Sequence, residues 1–211
     1  MRWLPLLSIV LFTPRLAVAA DPEAQGGTDI AYDHKGQIGG HIQLGTGYRV
    51  LFPYEATPKV YCGQTDDNSP DPREVCTGRS PFFMEVGASY GVTSAIELLA
   101  DVRLGVEKDF TPQLGGSAPR AFVLAPGAKI YIDEEGSTKF FSTLQAAFDL
   151  TNFEKSGADA SVDVAIRNVN GLQIDFHKAF GVYFHFGETI GFVRWLRFEL
   201  DAGIGIQGRY P

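Results

Sequence analysis

The C-terminal stretch Leu196-Arg197-Phe198-Glu199-Leu200-Asp201-Ala202-Gly203-Ile204-Gly205-Ile206-Gln207-Gly208-Arg209-Tyr210 reads as two interleaved sequences. Leu196, Phe198, Leu200, Ala202, Ile204 and Ile206 are apolar, whereas Arg197, Glu199, Asp201, Gly203, Gly205, Gln207 and Arg209 are charged, amide or glycine. Successive side chains of a strand point to opposite sides, so this period of two predicts a strand with one apolar and one polar face. Its length, about 15 residues, exceeds the 5 or 6 usual in soluble sheets and suits a tilted membrane crossing of about 9 to 11 with an extension beyond it.

Working backwards, the alternation recurs. Ile96, Leu98, Ala100, Val102, Leu104 and Val106 oppose Glu97, Asp101, Arg103, Gly105 and Glu107. Ile42, Leu44, Tyr48, Val50 and Phe52 oppose Gln43, Gly45, Gly47 and Arg49, and Phe82, Met84, Val86, Ala88 and Tyr90 oppose Glu85, Gly87 and Ser89. Further strands are predicted near 120–132, 138–150, 161–176 and 180–192, which makes eight. Long polar links at 54–80, 109–119 and 151–160 exchange with short ones at Val92-Thr93-Ser94, Asp133-Glu134-Glu135-Gly136 and His177-Lys178-Ala179. Only the last link on the long side, near Val193-Arg194, is short.

The composition agrees. A 45% hydrophobic, 20% charged chain of 211 residues excludes a disordered or collagen-like protein, and 24 Gly, 16 Phe and 8 Tyr against 2 Met favour sheet and turn over helix bundle. The net charge is -7 with no dense Lys/Arg stripe, so no nucleic-acid partner is expected.

Residues 37–210 thus resemble the small, eight-stranded bacterial outer-membrane β-barrels, which implies an all-β, closed, antiparallel up-and-down transmembrane barrel with short periplasmic turns and longer external links. A soluble exported ligand-binding barrel would also alternate. The transmembrane reading is favoured by Gly, Ser, Thr, Gln and charges of both signs on the polar face, and by aromatics near strand ends: Tyr48, Phe52, Phe82, Tyr90, Phe140, Phe148, Phe176, Phe192 and Tyr210. Outer-membrane lipid and the barrel-assembly machinery are the partners this resemblance implies. The terminal aromatic is Tyr210, followed by Pro211, with Gly208 at a position usually apolar.

Other segments fit an exported chain. Residues 1–20 carry Arg2, the apolar run Leu4 to Phe12 and the small-residue close Ala17-Val18-Ala19-Ala20, the pattern of a cleaved signal peptide and too short for a spanning helix of roughly 20 residues. Losing Arg2 and Arg15 takes the charge from -7 to about -9. Residues 21–36 are then a flexible leader. Cys62 and Cys76 flank a polar segment and, in an oxidising compartment, are expected to pair, tying external loop 54–80 as a possible contact for an extracellular partner. A metal would need more soft ligands nearby, and none is expected.

An eight-stranded barrel is about wide enough for its own side chains. By parity Arg49, Glu85, Glu97, Asp101, Arg103, Lys129, Arg197, Glu199, Asp201 and Arg209 point inward, where charges must pair. A satisfied interior network gives a structural or interaction protein; the alternatives are a narrow solute or ion pore and a lipid-modifying enzyme. Certain outer-membrane barrels deacylate lipid A with a His and a Ser two apart on one strand face. In the similar stretch Phe184-His185-Phe186-Gly187-Glu188, Gly187 stands where the serine would, so no catalytic residue or cofactor is expected and His185 is read as an interior hydrogen-bonding residue. His34, His41 and His177 fall in the leader, near the first strand's start and in a turn. Two places disturb the pattern: Pro126 inside the fourth strand calls for a bulge or bend, and Asn168 and Asn170-Gly171 in the sixth call for a kink or an extra hairpin.

Overall fold

The computed structural model describes residues 34–52, 54, 75–108, 120–132, 136–151 and 162–210. The signal segment, most of the leader, Cys62 with its expected bond to Cys76, and most of the long links lie outside the described residues. Eight strands follow one another: β1 (Ile38–Phe52), β2 (Cys76–Gly91), β3 (Ile96–Gly105), β4 (Phe122–Ile132), β5 (Thr138–Asp149), β6 (Asp163–His177), β7 (Phe180–Gly191) and β8 (Leu196–Tyr210). Each pairs antiparallel with the next, and β8 returns to β1 from Ile38↔Tyr210 to Phe52↔Leu196, closing the barrel. Closure leaves no row of unpaired backbone groups, the condition for sheet to cross hydrocarbon.

Burial runs opposite to that of a soluble sandwich. Ile132 is 66% exposed beside Tyr131 at 3%, and Leu144 is 60% exposed beside Thr143 at 4%. Apolar side chains face out and polar ones in, which only a lipid surround makes favourable. Exposed aromatics ring both ends: Tyr90, Phe140, Phe176, Phe180 and Tyr210 at the short-turn rim, and Tyr48, Phe122, Phe148, Phe192 and Phe198 at the long-link rim. Phe176 stacks on Phe180, and Phe52 meets Phe198 edge-on.

Four details depart from the sequence reading. First, β2 begins at Cys76, so the last residues of the 54–80 link are wall, paired as Leu51↔Cys76 through Gly47↔Ser80. The register with β1 shifts between Gly45↔Phe83 and Gly47↔Ser80, a bulge in β2 where Pro81 and Phe82 stand opposite Thr46, whose hydroxyl donates to the Ser80 carbonyl at 2.9 Å. Second, Pro126 produces a gap without a bulge. It pairs with Ala100 of β3, but towards β5 the ladder steps from Leu124↔Phe148 to Gly127↔Gln145 with unchanged register, and the Gln145 amide supplies a donor to the freed Ala125 carbonyl at 3.0 Å.

Third, β6 is continuous through Asn170-Gly171, with Ser142↔Asn170 on one side and Gly171↔His185 on the other. The turn tendency of Asn-Gly is overridden because both neighbouring ladders need their donors there. Fourth, the leader's last residues are fixed. Gly36, at φ 77°, donates to the Gly91 carbonyl at 2.8 Å, Gly91 donates back to Gln37 at 3.0 Å, and His34 is carried into the barrel mouth. A β-carbon on Gly91 would strike the His34 backbone, so glycine permits this strap.

Candidate functional site: the charged lumen and its rims

The inward face gathers all ten residues singled out by parity: Arg49, Glu85, Glu97, Asp101, Arg103, Lys129, Arg197, Glu199, Asp201 and Arg209 are each 9% exposed or less. The lumen also holds Lys139, Asp149, Asp163, Arg167, Asp175 and Arg194, with His34 and His41, none of which the sequence parity singles out, and His185, which lies inside as the sequence predicts. Among the described residues the buried cations are Arg49, Arg103, Lys129, Lys139, Arg167, Arg194, Arg197 and Arg209, and the buried carboxylates are Glu85, Glu97, Asp101, Asp149, Asp163, Asp175, Glu199 and Asp201. Eight stand against eight.

Three layers are distinguishable. In the middle, Glu85 of β2 is held by Arg103 of β3 at 3.0 Å and by Arg167 of β6 at 3.0 and 3.1 Å, and it also accepts from Gln43 of β1. Arg103 continues to Asp201 of β8 at 3.1 Å and Glu199 at 3.4 Å, its guanidinium lying over the Phe83 ring. Asp201 is also approached by Arg167 at 3.5 Å and His185 at 3.3 Å. These bonds join strands on opposite sides of the barrel.

Towards the short turns lies an aromatic layer of Tyr131, Phe141, Val169 and Tyr183. The Lys129 ammonium sits 4.6 Å from the Phe141 ring centre and within 5.5 Å of both tyrosine rings, an arrangement that replaces part of its lost hydration. Below it His34 closes the mouth. Its ring is 3.1 Å from Glu97, 3.3 Å from Asp175 and 2.9 Å from the Lys139 ammonium, edge-on to Tyr131, while Arg209 binds Glu97 at 3.1 Å and the Tyr131 hydroxyl at 2.8 Å.

At the other rim Arg194 and Trp195 of the short link between β7 and β8 turn inward while Val193 stays exposed. Asp163 accepts from the Val193 and Arg194 amides at 3.0 and 2.9 Å, Arg194 reaches the Thr151 carbonyl at 3.2 Å, and Arg197 binds Asp149 at 2.7 Å. Above the central layer a funnel of about 610 Å³, counting its open mouth, is lined by Arg49, Arg103, Arg167, Arg197, Asp149 and Glu199 against Ala125 and Ala147. A second, smaller space, about 20 Å³ when open solvent is left out, lies among His41, Asp101, Lys129 and Tyr183. Glu85 and Arg167 line both spaces, so their ion pair is the partition between them. Outside the wall, Glu107 accepts from the Phe82 amide and from Arg79 at 2.6 Å, and these two donors hold its carboxyl below the usual carboxylate range.

His185 faces Asp201, and the inward position 187 is glycine, a β-carbon there lying only 2.7 Å from Asp201, so the pairing of acid and imidazole has no hydroxyl to activate. Among the described residues no group of three His, Cys, Asp or Glu is placed to hold a metal ion.

A closed eight-stranded barrel, apolar outside and plugged by paired charges inside, is a membrane-spanning β-barrel of the small outer-membrane type. The N-terminal β-barrel domain of OprF from Pseudomonas aeruginosa shares this fold, at TM-score 0.51 and 11% identity, covering 83% of this chain and 98% of that one. Two further solved barrels are the attachment invasion locus protein Ail of Yersinia pestis (TM-score 0.47, 11% identity, 83% and 99% of the two chains) and Neisserial surface protein A (0.45, 9%, 81% and 97%). No family model matches the chain, and no curated protein matches it by sequence.

Proposed function

We propose that this chain is an outer-membrane barrel with a structural or interaction role, acting through what its long links present and not through conduction or catalysis. The observation that carries this reading is the balance, among the described residues, of eight buried cations and eight buried carboxylates, tied across the middle of the lumen and closed at the short-turn rim by His34. A path for ions would need groups that exchange partners with a passing solute; here each neighbour in the central layer is another side chain of the wall. The termini and short turns lie on the periplasmic side, with link 54–75 outside, tied at its root by a Cys62–Cys76 bond and open to an extracellular partner.

Purified protein in planar bilayers tests the reading. A folded, heat-modifiable barrel that stays silent supports it, whereas a reproducible single-channel conductance establishes the pore. Orientation is read separately: cysteine introduced at Ser69 labels from intact cells and cysteine at Thr93 does not, and the reverse result inverts the barrel. Recovery as a soluble periplasmic protein overturns the whole reading.

A further inference from the structure

The lipid-facing wall is apolar at nearly every position of β6: Val164 and Ile166 lie on one side of an interruption and Leu172, Ile174 and Phe176 on the other. The interruption is Asn168 and Asn170, both on the outward parity. The Asn168 amide donates to Ser142 Oγ at 3.3 Å and to the Thr143 carbonyl at 3.1 Å, and the Asn170 amide donates to Asn168 Oδ1 at 2.5 Å. Asn170 Oδ1 and one of its N–H groups make no hydrogen bond to a described residue. Glu188, the register partner of Asn168 on β7, is exposed beside it across the ladder.

Hydrocarbon cannot satisfy these groups, and with apolar residues on either side along the strand, neither a lipid headgroup nor water has easy reach. A protein surface at the same depth can. Two barrels inserted in the same direction can be related by a two-fold axis along the membrane normal, which keeps the two copies of each residue at equal depth and sets a residue lying at the axis opposite its own copy. Such an axis demands self-complementary chemistry. A carboxylate facing itself repels, whereas a carboxamide carries both donor and acceptor and can pair reciprocally with its twin. Asn170 has one of each to spare, and the flanking Leu144, Ile166 and Leu172 supply packing around it.

We infer that the β5–β6 wall is a lateral docking face for a second copy of this chain in the same membrane, centred on a reciprocal Asn170–Asn170 amide pair. This goes beyond the proposed role of the long links and needs only that the wall face lipid. A photoreactive benzoylphenylalanine placed at Leu144, beside Asn168, should yield an adduct of twice the chain's mass in native membranes, while the same residue at Leu98, exposed on β3, should not. The Asn168→Leu, Asn170→Leu double variant should lower that adduct roughly tenfold, the scale of two lipid-embedded hydrogen bonds, while keeping heat-modifiable migration. Asn170→Ala alone serves the same purpose should the double variant fail to insert. Adducts from Leu144 to lipid only, to a different protein, or in equal yield from both positions overturn the inference, as does an undiminished adduct in the folded variants. Loss of heat-modifiable migration in the unsubstituted chain would instead sink the membrane-barrel reading itself.

Discussion

Replacing Glu85 by Gln removes the carboxylate that partitions the lumen, and its cost can be worked from the distances. At 3.0 Å from both Arg103 and Arg167, and with an effective dielectric near 20, each contact carries about 5 kcal/mol of Coulomb attraction before desolvation is charged against it. Removing one partner of a buried pair costs roughly 3–5 kcal/mol, because the remaining charge is stranded. Arg103 keeps Asp201 at 3.1 Å and Glu199 at 3.4 Å, and Arg167 keeps Asp201 at 3.5 Å, so Glu85→Gln should fall near the lower end, about 3 kcal/mol. Arg167→Gln should cost a similar amount by stranding Glu85 with one guanidinium in place of two. The double variant restores the balance at seven to seven and should be no less stable than the worse single variant, a coupling of at least about 3 kcal/mol. Reversible urea unfolding from lipid vesicles gives all four values. Additive losses would show that the two groups do not act as a pair, and the account of a charge-balanced plug would fail.

Four other outcomes follow from the same geometry. Val102→Arg, on the lipid-facing parity of β3, should cost roughly 2–4 kcal/mol, and Leu99→Gln, on the lumen side, clearly less; equal losses in vesicle unfolding would reject the parity. Gly91→Ala should push the His34 strap from the mouth and expose residues 34–37 to protease without loss of the barrel; unchanged protection would show that the strap does not depend on that close approach. Because its partners favour the ionised form, the Glu107 tie is complete above the ordinary carboxylate range and is lost as pH falls through the lowered pKa; the Phe82 amide should lose its protection there, measured against the intrinsic exchange rate at each pH, and a carboxyl resonance titrating at the normal value would contradict it. A Cys62→Ser, Cys76→Ser double variant should be clipped more readily within 54–75 yet remain heat-modifiable; failure to insert would place that link in the folding core.

The closed antiparallel barrel was legible because period-two patterning survives on all eight strands and needs no knowledge of what each strand meets. The inward position of Arg49, Glu85 or Asp201 follows from the same parity. Lys139, Asp149, Asp163, Arg167 and Asp175 were within reach of it too, since all lie on odd positions of β5 and β6; Asn168 and Asn170 on the even side blurred which face of β6 was the apolar one. Tyr131, Phe141 and Tyr183 were concealed differently. An aromatic on the polar parity looks like an error in the pattern until the Lys129 ammonium is seen among the three rings. His34 had no local signal at all: its position depends on Glu97, Tyr131, Lys139 and Asp175, four residues from four strands.

The reach of these contacts bears on how the wall and the links divide their roles. Ladder bonds tie each strand only to its neighbours, which would leave an eight-stranded cylinder free to flatten. The luminal ion pairs run instead between distant parts of the chain: Glu85 to Arg167 across 82 positions, Arg103 to Asp201 across 98. Flattening would stretch or compress these bonds, and each charge released would lie in a space with little water to receive it. The cross-section is therefore fixed by groups that belong wholly to the strands, and the contacts of Arg197 with Asp149 and Asp163 repeat the arrangement at the long-link rim. A link rooted in such a rim can change in sequence or length without altering the frame that holds it. On this reading the cost of burying so many charges is borne by the wall, and the benefit appears at the links, which keep a fixed spacing whatever they bind.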